Sequence, residues 1–133
     1  MFDYLSIDWG LRRSGLAFGS QALVMAYQKN LMTVDIWQTL DQEIAKRNTK
    51  IIVVGLPTNF FGKNTQISNL ILEFVIELRV KYPNLQIETM EEKGSTKLSK
   101  KMLKIDKHDI NHQSAVNILN WYFEKLNYGK LWH

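Results

Sequence analysis

The feature that most constrains the fold is an uninterrupted apolar run at residues 51–54, which consists of Ile-Ile-Val-Val and is closed by Gly55. β-Branched residues favour strands, and a strand without alternating polar residues has to be buried on both faces. Such strands occur where helices cover both sides of a parallel sheet. The run therefore predicts an inner strand of an α/β sheet.

The segments around this run predict the rest of the sheet. Three short β-prone segments precede it, at residues 4–9, 15–18 and 22–27, and the glycine and serine breaks between them favour tight antiparallel connections. Apolar residues at helical spacing predict helices over 34–47, over the segment that ends before Pro83, and over 109–126, with a further strand at 85–90. The predicted fold is α/β: a mixed five-stranded sheet, three antiparallel strands and then two parallel ones, flanked by helices.

Composition limits the class of protein. The chain has 133 residues, so we expect a single domain over residues 1–133, with a formal charge of +4 that is compatible with a polyanionic partner. It contains no cysteine, which excludes disulfides and thiolate metal sites. No apolar run approaches the ~18 residues of a membrane span, and residues 1–8 reach an acid without the basic and apolar segments of a signal peptide, so we expect no leader. We expect a cytoplasmic protein without a membrane partner, either monomeric or homodimeric.

A carboxylate, Asp8, stands at the end of the first predicted strand. A buried carboxylate is costly unless a cation or hydrogen bonds compensate it, and Mg²⁺ prefers such hard oxygen ligands. Gly10 and Gly15 flank a turn where backbone could approach a phosphate, and Arg12 and Arg13 would add charge-assisted contacts. The alternative is that Asp8 caps a turn and both arginines are solvated.

Two further strand ends carry candidate groups. Gly55-Leu56-Pro57 predicts a rigid loop at the carboxyl edge of the sheet, where ligands often bind; a plain turn before a helix is the alternative. Glu91 and Glu92 follow the strand at 85–90, and alternation would send them to opposite faces, so only one can share a site with Asp8. We expect that acid beside Asp8, on a neighbouring strand; otherwise the two acids form a surface pair.

Taken together, these segments resemble the YqgF (RuvX-type) family of Holliday-junction resolvases and pre-16S rRNA nucleases. The family pattern D-x-G-x-x-R-x-G-x-A is matched at Asp8, Gly10, Arg13, Gly15 and Ala17, and V-V-G-L-P-x-N-x-x-G at residues 53–62. The family's D-E-R-x-[ST]-T appears as Glu91-Glu92-Lys93-Gly94-Ser95-Thr96, and its S-A-V-x-I-L-x-x-Y-F-E at residues 114–124.

The resemblance implies an RNase H-like fold and a site in which three acids bind Mg²⁺ or Mn²⁺. Asp8 matches the first acid and Glu92 the second. Asn111 occupies the position of the third, and an asparagine offers an oxygen ligand without a charge. Asp109, two residues earlier, is the alternative third ligand, and His112 is the other neighbour.

A basic run between the second and third acid positions could contact phosphates. Helical spacing would align three of its lysines on one face, and a solvated face is the alternative; the candidates are Lys93, Lys97, Lys101 and Lys104. His108 and His112 have the i, i+4 spacing of zinc ligands, but no third ligand is evident, so two surface histidines are expected.

The sequence therefore predicts a metal-dependent nuclease that acts on structured RNA, such as precursor rRNA, or on branched DNA. A second hypothesis is a non-catalytic nucleic-acid-binding module of the same fold that assists ribosome assembly, which Asn111 favours. A third is an actin-like phosphotransferase, since Asp-x-Gly turns also bind ATP phosphates; 133 residues provide only half of that fold.

Overall fold

The computed structural model describes residues 3–58, 66–93 and 107–131. The strands are β1 (Tyr4–Asp8), β2 (Gly15–Ser20), β3 (Leu23–Ala26), β4 (Ile51–Thr58) and β5 (Gln86–Lys93). The helices are α1 (Ile36–Arg47), which follows a 3-10 turn at Thr33–Asp35, α2 (Gln66–Lys81) and α3 (Lys107–Leu131). None of these described helices is both long enough and apolar enough to cross a membrane.

All five strands form one sheet in the order β3-β2-β1-β4-β5. β1 pairs antiparallel with β2, and β2 antiparallel with β3, whereas β1, β4 and β5 are mutually parallel along the sheet. The predicted RNase H-like fold, with three antiparallel strands followed by two parallel ones, is confirmed.

The sheet separates two apolar cores. One core lies between the sheet and helices α1 and α2; it contains Leu5 and Ile7 of β1 with residues such as Leu40 of α1 and Phe74 of α2. The other core lies under α3 and is built around Val53. Every second residue of a strand faces the same side, so β1 sends Leu5 and Ile7 to one core while the residues between them face α3.

The rigid loop predicted from Gly55 onward is wrong, because β4 continues to Thr58. The pairing of β4 with β1 ends at Val54, whereas its pairing with β5 continues and places Pro57 in register with Glu92. A proline has no N–H to donate, so it is tolerated in a strand where one neighbour has already ended. Gly55 and Pro57 are therefore strand residues at the place where the neighbouring strand stops.

Candidate active site at the carboxyl end of β1

Asp8 is the last residue of β1 and is only 2% exposed. It lies in register with Gly15, the first residue of β2. A carboxylate in this setting has lost most of its hydration, so hydrogen bonds or a cation must compensate its charge. The carboxyl end of β1 therefore contains a buried acidic group whose charge needs a partner.

The first described turns of α3 lie over the end of β1. A side-chain carbon on Gly15 would be 1.8 Å from the backbone oxygen of Asn111, so helix and strand touch with no room for a methyl group. Two residues deeper in β1, the hydroxyl of Ser6 donates to the carbonyl of Ala115 at 2.6 Å. Since paired strand residues face the same side, Asp8 and Gly15 both face α3, and the Asn111 turn covers Asp8.

His112 fixes this turn of the helix to the sheet. Its Nδ1 accepts a hydrogen bond from the backbone N–H of Leu16 at 3.1 Å, and its Nε2 lies 2.8 Å from the carbonyl of Lys29. Only the neutral ring with hydrogen on Nε2 can make both bonds. The expectation of a surface histidine is wrong for His112, which is buried, and its bonded nitrogens are not available to zinc. The side chain of His108 lies outside the described residues.

The backbone of Glu92 is in register with Pro57 of β4. It lies two residues beyond Met90, which packs in the core under α3, whereas Glu91 pairs with Leu56 of the opposite core and is exposed. The expectation that Glu92 lies on a strand adjacent to β1 is wrong, because β4 runs between them. Glu92 lies two strand spacings, about 10 Å, across the sheet from β1 and two residues, about 7 Å, beyond the level of Asp8. The Glu92 side chain itself lies outside the described residues.

The β4 residue beside Asp8 is a glycine, whereas the β4 residue in register with Glu92 is Pro57. Ile7 is in register with Val54, so one further step puts Asp8 beside Gly55, which is itself in register with Met90. Gly55 therefore brings no side chain to the position between Asp8 and Met90.

The loop after Asp8, residues 9–14, is held by hydrogen bonds between the backbone of Gly10 and the hydroxyls of Ser14 and Thr33. The N–H of Gly10 donates to Ser14 Oγ at 3.2 Å, and the hydroxyl of Thr33 donates to the carbonyl of Gly10 at 2.6 Å. The two hydroxyls are 2.7 Å apart. A side-chain carbon on Gly10 would lie 2.3 Å from the carbonyl of Arg13, so the loop is too tight for any other residue there.

The predicted phosphate contacts are described in part. Arg12 is exposed and Arg13 is half-buried, both on the 9–14 loop. Lys97, Lys101 and Lys104 lie outside the described residues, as does the side chain of Lys93, and the side chain of Asp109 is likewise outside them although its backbone belongs to α3. Sequence reasoning missed the roles of Thr33 and Ser14, because a hydroxyl that bonds a loop far along the chain leaves no local pattern.

Farther along the α3 side of the sheet, Glu88 lies close enough to Tyr122 to affect the pKa of its phenol. Burial, followed by the nearby charge of Glu88 and the ring of Tyr4, raises the pKa of Tyr122 above its ordinary value. The shift is upward, so the Tyr122 phenol is neutral at physiological pH.

The donors near Asp8 fit a hard divalent cation better than zinc. The buried Asp8 carboxylate offers oxygen atoms, which Mg²⁺ and Mn²⁺ prefer, whereas the imidazole of His112 is already bonded through both nitrogens. Within residues 3–58, 66–93 and 107–131, no group of three acids, histidines or cysteines gathers around one point. A site here would need the Glu92 carboxylate in addition to the described atoms.

Comparison with known proteins gives one matching family and several relatives. The family model described as RuvX, Holliday junction resolvase, matches residues 3–125. Relatives named "Putative pre-16S rRNA nuclease" include one from Chlorobium chlorochromatii, 32% identical over 102 residues (74% of this chain and 71% of the relative). Others come from Amoebophilus asiaticus, 30% identical over 125 residues (86% and 89%), and Phocaeicola vulgatus, 29% identical over 140 residues (96% and 99%).

Among solved structures, Pelota of Archaeoglobus fulgidus is similar with a TM-score of 0.48 and 8% identity. The match covers 96% of this chain and 35% of Pelota, so the chain spans about a third of that protein. This likeness is too distant to bear on function.

Proposed function

Because the chain belongs to the RuvX family, we propose that it is a cytoplasmic, metal-dependent endonuclease that cuts structured nucleic acid. The observation that carries the proposal is the buried carboxylate of Asp8 at the carboxyl end of β1, under the Asn111 turn of α3. Metal-dependent phosphodiester cleavage uses hard cations that carboxylates hold.

We propose precursor 16S rRNA as the substrate, cut near its 5′ end during ribosome biogenesis. The names of the curated relatives support rRNA, and the description of the family model supports a four-way DNA junction as the other substrate. Both are polyanions with bent or branched backbones, which suits a chain of charge +4.

Asp8 and Glu92 are the residues that would hold Mg²⁺ or Mn²⁺, with Asn111 or Asp109 completing the shell. When bound, the ions would activate a water and stabilise the leaving oxygen. Asp8 is held ready by its place at the end of a buried strand, so it needs little reorganisation. Arg12 and Arg13, with Lys93, Lys97, Lys101 and Lys104, would bind the flanking phosphates.

A non-catalytic nucleic-acid-binding module is the second candidate. The observation in its favour is Asn111, which gives the third ligand position an oxygen without a negative charge. Each missing close carboxylate weakens the attraction for a cation by about 1–4 kcal/mol at intermediate dielectric. A protein with too weak a metal site would bind RNA without cutting it.

Cleavage of both substrates with Mn²⁺, compared between wild type and Asp8→Asn, tests the proposal. We expect the wild type to cut a precursor 16S rRNA fragment or a four-way junction, and the variant to cut neither. We also expect the variant to melt at the same temperature or higher, because a carboxylate gathered for metal binding is repelled by its neighbours.

Equal cleavage by the purified variant and the wild type would refute the assignment of Asp8. A wild type that binds RNA tightly but cuts neither substrate at any Mn²⁺ concentration would favour the binding module. The two substrates, assayed side by side, decide between RNA and DNA.

A further inference from the structure

The hydroxyl of Thr33 closes a ring of hydrogen bonds next to Asp8. The Thr33 hydroxyl has a single hydrogen, which it donates to the carbonyl of Gly10. In the contact between the Thr33 and Ser14 hydroxyls, Ser14 is therefore the donor. Ser14 in turn accepts the N–H of Gly10. The bonds run from the Gly10 N–H through Ser14 and Thr33 back to the Gly10 carbonyl, so both polar backbone groups of one glycine are satisfied by side chains.

This hydroxyl ring is anchored in the core. The 9–14 loop pairs with residues 31–33 through two backbone bonds, from Ser14 N–H to the Leu31 carbonyl at 3.0 Å and from Thr33 N–H to the Arg12 carbonyl at 2.9 Å. Leu31 is 2% exposed and packs in the core under α1 and α2, and Ser14 is 1% exposed. The loop is thus tied to a fixed segment far away in sequence.

The loop carries the two described arginines of the site. Arg13 forms an isolated bridge with Met32, and Arg12 accepts the bond from Thr33 through its carbonyl while its side chain is exposed. Any motion of the Gly10 carbonyl therefore moves the backbone of both arginines relative to Asp8. A ring of mutually polarising bonds resists such motion as a unit.

We propose that Thr33 is a positioning residue: its hydroxyl fixes the 9–14 loop so that Arg12 and Arg13 contact the nucleic-acid backbone beside Asp8. This inference rests on the proposed function. The hydroxyl, rather than the size of the side chain, carries the effect, because valine has the shape of threonine but can neither donate nor accept. Serine retains both capacities.

The test compares Thr33→Val with Thr33→Ser in two measurements that need no catalysis. In EDTA, binding of a labelled RNA hairpin with a single-stranded 5′ extension should weaken roughly tenfold in Thr33→Val, since the loss of two hydrogen bonds loosens the loop. Trypsin cleavage of the folded protein after Arg12 or Arg13 should accelerate by a similar factor. Thr33→Ser should remain within about twofold of the wild type in both measurements.

A kinetic measurement separates positioning from general damage. With Mn²⁺, Thr33→Val should raise KM several-fold more than it lowers kcat, at a temperature where urea titration shows it to be folded. Ser14→Ala breaks the same ring from its other hydroxyl, so it should reproduce the effect, and the double variant should add little to either single change. Ser14→Ala also provides the test if Thr33→Val does not fold.

Unchanged RNA affinity in both Thr33→Val and Ser14→Ala would overturn the inference, whatever the cleavage assay shows. Faster trypsin cleavage with unchanged RNA affinity would also overturn the inference, since the Thr33 hydroxyl would then hold the loop without affecting RNA binding. If the wild type binds the hairpin but never cleaves it, the proposed nuclease activity is refuted. The RNA affinities of Thr33→Val and Ser14→Ala then still decide whether Thr33 positions the loop for binding.

Discussion

The close approach of α3 to β2 predicts that Gly15→Ala damages the site more than its small size suggests. The added carbon would lie 1.8 Å from the Asn111 oxygen, 2.2 Å from its carbonyl carbon and 2.8 Å from the backbone nitrogen of His112. All three atoms belong to helix backbone, which has no rotamer with which to avoid the clash. The helix must move away by about 1.5 Å to reach ordinary contact distance.

The magnitude follows from what this movement disturbs. Overpacking costs about 1–3 kcal/mol, and the stretched bonds of His112 to Leu16 and Lys29 add roughly 0.5–1.5 kcal/mol each. The alanine regains about 0.5–1 kcal/mol because glycine loses more backbone entropy on folding. We expect Gly15→Ala to lower the free energy of unfolding by about 2–4 kcal/mol.

Gly19→Ala on the same strand is the matched control. There the added carbon would meet the Leu23 carbonyl at 2.8 Å and two side-chain methyl groups, of Val24 and Leu119, at 3.1 and 3.2 Å. The nearest atom is again backbone, but it lies at 2.8 Å rather than the 1.8 Å found at Gly15, so the loss should be smaller, about 1 kcal/mol. Urea unfolding measures both variants, and titration of Mn²⁺ should show weaker binding only for Gly15→Ala. Equal stabilities of the two variants would refute the close contact of α3 with β2.

Three further predictions concern the third ligand position, His112 and the contact between Asp41 of α1 and the end of α2. Asn111→Asp should tighten Mn²⁺ binding about tenfold or more in calorimetry; if it has no effect while Asp109→Asn abolishes binding, Asp109 is the third ligand. His112→Phe should cost about 2–3 kcal/mol in urea, because a buried β2 amide loses its acceptor; stability equal to wild type would contradict the two ring bonds. The hydrogen bond from Tyr82 and then the Lys81 ammonium lower the pKa of Asp41 below its ordinary 3.8. Asp41 contributes about 0.5 kcal/mol to the free energy of unfolding, as expected for an exposed group. This contribution is present above pH 4 and is lost as the pH falls through the lowered pKa. Urea unfolding should therefore show a lower stability of Asp41→Asn than of wild type at pH 7 but not at pH 2.

The order and type of the elements could be predicted because each rests on local periodicity. The run at residues 51–54 marked an inner strand of the sheet, and the apolar stripe of α2 marked a helix without any knowledge of neighbours. The end of β4 could not be predicted in the same way. Whether Gly55 and Pro57 belong to a strand depends on where β1 stops, which is a property of pairing rather than of the residues themselves.

The candidate site was predictable only as far as its motif residues. Asp8 stands at a recognisable strand end, whereas alternation predicts only that Glu91 and Glu92 face opposite sides, and the choice of Glu92 comes from the family motif. The insertion of β4 between their strands is a choice of topology, and spacing along the chain does not reveal it. His112 and Thr33 act on partners 96 and 23 residues away, so their positions in the sequence look like an ordinary helix histidine and a linker threonine.

The bond from Ser6 to the Ala115 carbonyl joins residues 109 positions apart, and His112 reaches back 96 positions to Leu16. On the ribosome, Asp8 is therefore made long before the helix that covers it. At about 5–20 residues per second, the delay is roughly 5–20 s. During that interval the nascent chain has Asp8 but not the turn that buries it, so the site forms only when the first turns of α3 dock. Closure over so long a loop is also expected to be among the slower steps of folding.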